Sequence, residues 1–116
     1  KDKSLRTPLG AVFMPKMYSS IGPVAFKMAG KGMSPTIKEG AILGVDYKSK
    51  DIIEGKAYVV KLPDGDAAVR RLVRGIGKII LKPDNPIFPE MSIDALLFKE
   101  KGLIAGRVAW VVQELD

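Results

Sequence analysis

Short runs in which alternate residues are apolar, each bounded by turn residues, constrain the fold of this chain more than any other feature. Side chains of a β-strand point alternately to opposite faces, so a period of two is typical of a half-buried strand. The runs occupy residues 24–29, 41–47, 57–62, 67–74, 78–82 and 103–112. We therefore predict a mainly β fold of six or more short strands.

Glycine-rich reversals separate these runs and predict antiparallel pairing. Pro63-Asp64-Gly65-Asp66 lies between two runs, and its Asp-Gly pair tolerates the positive φ of a tight hairpin. Gly75-Ile76-Gly77 gives a second reversal. In the closing run we place Ile104, Val108, Trp110 and Val112 on one face.

Residues 91–101 fit two interpretations. They could form a short helix with Ser92 as its N-cap and Ala95, Leu96 and Phe98 inside it. They could equally cross as a strand.

The chain contains neither cysteine nor histidine. This excludes disulfides, thiolate or imidazole metal sites, and catalysis by Ser-His-Asp or Cys-His groups. The acidic residues are scattered singly, so we predict no metal and no cofactor. No apolar run has the ~20 residues that span a bilayer, and no signal segment is visible. We therefore expect a cytoplasmic protein.

A net charge of +6 would suit a nucleic-acid partner. However, the basic residues are dispersed apart from Arg70, Arg71 and Arg74, and no aromatic residues alternate with them. We predict at most a non-specific attraction to DNA.

Residues 30–40 read Gly-Lys-Gly-Met-Ser-Pro-Thr-Ile-Lys-Glu-Gly. This resembles the Gly-x-Ser-Met-x-Pro-Thr signature of the LexA and phage-repressor peptidases, which bacterial signal peptidases share. Further matches follow in the family's order: residues 41–46, 55–60, Val69-Arg70-Arg71-Leu72, Leu81-Lys82-Pro83-Asp84-Asn85-Pro86 and Ala105-Gly106-Arg107-Val108. The resemblance covers roughly residues 24–110. It implies strongly twisted antiparallel sheets of the LexA/signal-peptidase type with little or no helix, and it favours extended chain over residues 91–101.

The family's peptidases attack a peptide carbonyl with a serine whose proton is taken by a neutral lysine. The resemblance places Gly32 at the serine position and Arg70 at the lysine position. Glycine has no nucleophile, and a guanidinium is not deprotonated in proteins. We therefore predict a degenerate dyad with no catalytic residues, beside cleft residues Gly30, Met33, Ser34, Pro35 and Thr36.

Two residues leave alternatives open. Ser34 could replace the missing nucleophile, but it would stand ~6–7 Å away in extended chain, and we favour a role in a local turn. Arg70 could fill the former lysine pocket, paired with a carboxylate, or point outward with Arg71 and Arg74. Alternation allows only one of Arg70 and Arg71 to face solvent, and we favour the buried, structural role for Arg70.

The leading hypothesis is an oligomerisation domain of a bacterial or phage transcriptional repressor, residues 8–116, preceded by a linker remnant at 1–7. The resemblance implies a DNA-reading helix-turn-helix domain before it. It also implies self-association, with RecA or an antirepressor as further partners. Val108, Trp110 and Val112 fit two interpretations, plain core or dimer contacts, and core is the default for such apolar residues. The rival hypothesis is an active self-cleaving protease with a non-standard dyad.

Overall fold

The computed structural model describes residues 5–8, 25–28, 30–62 and 65–115. These residues form eight strands and one helix. The strands are β1 (Leu5–Pro8), β2 (Ala25–Met28), β3 (Ile42–Asp46), β4 (Ala57–Lys61), β5 (Ala67–Gly75), β6 (Lys78–Lys82), β7 (Met91–Asp94) and β8 (Ile104–Val112). The helix, α1 (Ala95–Glu100), lies between β7 and β8. None of the helices in this part of the chain has the length and apolarity to cross a membrane.

All eight strands belong to one antiparallel sheet, ordered β1-β2-β3-β8-β4-β5-β6-β7. The last strand therefore lies in the middle, where it pairs with both β3 and β4. This confirms the predicted mainly β, antiparallel fold. Strand β1 pairs with β2 through Leu5 and Pro8, so residues 5–7, which we interpreted as part of a linker, belong to an edge strand of the sheet.

Each face of the sheet carries a core of its own, because β4 and β5 contribute side chains to two separate cores. The first core contains Tyr58, Val60, Ala68, Leu72, Ile79, Leu81, Ile93, Phe98 and Ile104. The second contains Met28, Met33, Ile37, Ala41, Leu43, Val45, Val59 and Val69. Strict alternation therefore separates the two cores along β4, where Val59 faces away from its neighbours.

The predicted turns are present where the chain is described. Gly65 has a φ of +90° and Gly77 a φ of +67°, the left-handed backbone that glycine adopts without steric cost. Strand β6 occupies the predicted run, residues 78–82. The Asp-Gly hairpin is only partly tested, because Asp64 lies outside the described residues, as do Val24 and Ala29 of the first run.

Residues 91–101 combine the two interpretations. The first four form strand β7, paired with β6, and the next six form α1. The N-cap is Asp94, whose carboxylate accepts a hydrogen bond from the Leu97 backbone at 3.0 Å. The prediction of Ser92 as N-cap was wrong because Ser92 is still in the strand, paired with Ile80.

The closing strand is irregular, which corrects the predicted common face. Gly44 pairs with Trp110 but Val45 pairs with Val108, so Ala109 is an extra residue on β8. Such a bulge shifts the alternation by one residue. Val108 packs against the second core, whereas Trp110 and Val112 lie opposite Gly44 and Ile42 on the other face.

Candidate functional site: the Gly32–Arg70 contact

The loop between β2 and β3 carries the motif at residues 30–40, and its apolar residues fix it to the second core. Met33 is completely buried and Ile37 is 4% exposed. The Ile37 backbone donates to the Met33 carbonyl at 2.9 Å, and the Ser34 backbone donates to the Lys31 carbonyl at 3.1 Å. The two bonds close a tight turn that starts beside Gly32.

Exposure differs among the predicted cleft residues. Gly32 and Met33 are buried, Gly30 and Ser34 are half-buried, and Pro35 and Thr36 are exposed. The backbone bond from Ser34 agrees with its predicted place in a local turn.

A second loop, which follows β6, holds the motif from the side. The Asn85 backbone donates to the Gly32 carbonyl at 3.0 Å, and the Asn85 side-chain amide donates to the Lys31 carbonyl at 3.0 Å. The Thr36 side chain is hydrogen-bonded to Asp84. The two stretches that resemble the repressor family therefore contact one another, although about fifty residues separate them in sequence.

The segment after β8 also binds this loop. The Gln113 side chain donates to the Thr36 carbonyl at 3.2 Å and accepts from the Lys38 backbone at 2.9 Å. Lys38 Nζ donates to the Glu114 carbonyl at 2.8 Å. Sequence reasoning missed these residues because the contact depends on the central position of β8 in the sheet.

The guanidinium of Arg70 lies directly against the α-carbon of Gly32. A β-carbon built on Gly32 would lie 2.5 Å from Nη1, 2.9 Å from Cζ and 3.0 Å from Nη2 of Arg70. Real side-chain carbons do not approach other heavy atoms this closely. The structure thus brings the two predicted dyad positions together, and a glycine provides the space that the guanidinium fills.

Arg70 is only 7% exposed. Its Nη1 donates to the Val69 carbonyl at 2.7 Å. Its Cζ lies 5.7 Å from the centre of the Phe88 ring, within the range of a cation–π interaction. This burial agrees with the structural role favoured for Arg70 and excludes its membership of a solvent-facing basic patch.

The nearby carboxylate of Asp84 pairs with Arg71, the next residue of β5. Arg71 Nε and Nη2 donate to the two carboxylate oxygens of Asp84 at 2.8 and 3.0 Å, and Nη1 donates to the Gly55 carbonyl. Burial raises the pKa of Asp84, but hydrogen bonds from Arg71 and Thr36 outweigh it, and the pKa is lowered. The same hydrogen bond to Asp84 raises the pKa of Arg71.

The three clustered arginines therefore have different environments. Arg70 is buried, Arg71 is held in a bidentate ion pair, and Arg74 is exposed with its backbone bonded to the Glu54 carboxylate.

The predicted dimer residues lie outside this site. Val108 faces the second core. The indole of Trp110 lies over Gly44, where any β-carbon would overlap the ring, and Val112 is 48% exposed. Of the three, only Trp110 and Val112 therefore lie on the face of β8 that points away from the second core, which we call the outer face of β8.

The contact between Gly32 and Arg70 restricts the chemistry of this cleft. Gly32 offers no hydroxyl, and the guanidinium has five N–H donors and no basic lone pair. The guanidinium can donate hydrogen bonds to an acceptor or fill space. These two residues cannot transfer a proton at neutral pH.

Comparison with known families agrees with the residue resemblance. Residues 12–109 of the 116-residue chain match the model of the family described as Peptidase S24-like. No curated protein is similar enough to this chain to count as a match. The family match includes the loop of Gly32, strand β5 and most of β8, which are the elements that build the site. The chain therefore belongs to the Peptidase S24-like family.

Proposed function

We propose that this chain is a non-catalytic oligomerisation domain of a bacterial or phage transcriptional repressor. The observation that carries the proposal is the buried contact between Gly32 and the guanidinium of Arg70. At the two positions where the family's peptidases use serine and lysine, this chain has neither a nucleophile nor a base.

The chemical argument rests on the pKa of arginine. A buried lysine can lose its proton near neutral pH because desolvation lowers its pKa by several units. The guanidinium keeps its proton even when buried. In this structure the guanidinium donates to the Val69 carbonyl and lies near the Phe88 ring.

The rival function is self-cleavage with Ser34 as the nucleophile. Ser34 is half-buried and close to Gly32 in the chain, which is the one observation in its favour. A base must lie within about 3 Å of the hydroxyl that it activates, and the residue at the family's base position is the permanently charged Arg70. Mixing the full-length repressor with activated RecA filament separates the two functions. The rival predicts release of an N-terminal fragment, and our proposal predicts none.

In the proposed role, a helix-turn-helix domain before this chain reads the operator, and this domain joins the copies. Tethering a second DNA-binding domain nearby raises avidity by ~10²–10⁴ without new contacts. A two-fold dimer also matches paired half-sites. The expected partners are a second copy of this chain, DNA through the preceding domain, and RecA or an antirepressor. We place the protein in the cytoplasm.

The outer face of β8 is the surface that we assign to self-association. It carries Trp110 and Val112, and the chain after it continues to Leu115, which is 96% exposed. Clustered apolar side chains on a surface are typical of a protein interface. Val108 is excluded because it faces the core.

Sedimentation of this domain tests the assignment. Val112→Glu is expected to convert the dimer to a monomer, because it buries an unpaired charge in the interface. Ile76→Glu, at a 99% exposed turn residue, is the matched control and leaves the dimer intact. A wild-type domain that sediments as a monomer at all concentrations would contradict the proposed self-association.

A further inference from the structure

A groove separate from the Gly32–Arg70 contact lies between α1 and the β5–β6 hairpin. Its volume is about 480 Å³, in the range of ligand-binding clefts. None of its lining residues belongs to the motif loop or to the loop that follows β6. The family resemblance did not predict it.

The floor of the groove is apolar. Ile79 and Phe98 belong to the first core, and Leu103 packs against that core. Phe98 is 4% exposed and Ile79 is 6% exposed. The accessible apolar surface of the groove comes from the half-buried Ile52, Ala95 and Leu103, which pack against the first core.

The rim of the groove is predominantly cationic. Lys50, Arg74 and Lys99 line it together with a single carboxylate, Asp51. The guanidinium of Arg74 is held in place by a 3.1 Å bond from Nη1 to the Ile52 carbonyl. Lys50 and Lys99 are exposed.

We propose that this groove binds an acidic segment of a partner protein in which apolar side chains alternate with carboxylates. The apolar floor takes the leucine or phenylalanine side chains, and the cationic rim pairs with the flanking carboxylates. A nucleic acid would match the charge of the rim but not the aliphatic floor, since bases stack on aromatic or guanidinium planes and the only ring here is the buried Phe98. The inference does not depend on the proposed loss of catalysis.

Fluorescence anisotropy with a labelled peptide, DLDDFDLDD, tests the proposal on the intact chain. The peptide is expected to bind saturably. The double variant K50E/K99E should weaken binding about tenfold, because two attractive charges become repulsive. The matched control is K27E/K61E, which makes the same change of charge at two exposed lysines that do not line the groove.

Two further probes separate the contributions of charge and apolar contact. In the peptide DADDADADD the apolar side chains are shortened, and it should bind about tenfold more weakly at constant charge. The substitution Ala95→Trp fills the groove and should also weaken the binding of DLDDFDLDD. Circular dichroism checks that the sheet stays folded in this variant. The proposal is overturned if the alanine peptide binds equally well, if K50E/K99E and K27E/K61E weaken binding equally, or if single-stranded DNA competes more strongly than the peptide.

Discussion

The Gly32–Arg70 contact and the groove beside α1 differ in what fills them. At the position of the family's catalytic dyad, the cleft is filled from inside: the guanidinium of Arg70 lies against Gly32 and the Phe88 ring. The groove beside α1 is open and keeps its cations at the rim. The first is part of the packed interior, and the second is the surface that we propose for a partner.

The neighbouring residues Arg70 and Arg71 show how this difference arises. Successive residues of β5 point to opposite faces. Arg70 is buried, while Arg71 makes a bidentate ion pair with Asp84 and a third bond to Gly55. The position that resembles the family's lysine is therefore a packing position in this chain, and the ion pair beside it anchors the loop that covers it.

The largest expected difference between the two regions is their tolerance of added volume. Gly32→Val should lower the free energy of unfolding by about 3 kcal/mol, because the new side chain would displace the buried guanidinium from the Val69 carbonyl and the Phe88 ring. Ala95→Val, which adds volume beside the open groove, should cost less than about 1 kcal/mol. Urea unfolding of both variants measures the difference. Equal costs would show that the Gly32 cleft is not filled.

A smaller effect is expected from the coupling between Gly32 and Arg70. Gly32→Ser should destabilise the wild type by about 2 kcal/mol. In the Arg70→Lys background the same substitution should cost only about 1 kcal/mol, because lysine lacks the planar guanidinium that the new serine side chain would meet. A double-mutant cycle of urea-unfolding free energies gives the coupling. If the changes in unfolding free energy were strictly additive, the side chains at positions 32 and 70 would not be in contact.

The smallest effect concerns the ion pair that anchors the covering loop. Asp84→Asn should cost about 1 kcal/mol near neutral pH, since Arg71 is about one-third exposed and solvent weakens the pair. Glu90→Gln should cost almost nothing, because its 3.8 Å contact with Lys82 is exposed. Thermal or urea unfolding distinguishes the two variants.

The cost of Asp84→Asn should depend on pH with a defined sign. The folded pKa of Asp84 is lowered, so its stabilisation is fully present above the unfolded pKa of about 3.9. It is lost as the pH falls through the lower folded value. The difference between wild type and Asp84→Asn should therefore shrink below about pH 4. A difference that grows on acidification would contradict the assigned direction.

Much of the fold followed from the sequence because alternation and glycine reversals are local signals. The strand at residues 78–82 and the β3 run are examples. The bulge at Ala109 was not predicted, since it depends on which strands flank β8. Asp94 was missed as an N-cap because the strand before it ends through its pairing with β6.

The site was predicted only through resemblance. Gly32 and Arg70 have no pattern of their own that would bring them together, and their contact comes from the crossing of a loop and a strand. The pairing of Asp84 with Arg71 could not be read from the sequence, because both arginines were equally plausible partners. The groove was missed because three segments distant in sequence build it.

The central claim is that no residue of this cleft can begin an attack on a peptide bond. Intact mass spectrometry of the full-length protein after incubation at alkaline pH tests it most directly, because alkaline pH raises the neutral fraction of any lysine that could act as a base. We predict a single species of unchanged mass. Accumulation of an N-terminal fragment that disappears in the Ser34→Ala variant would contradict the claim.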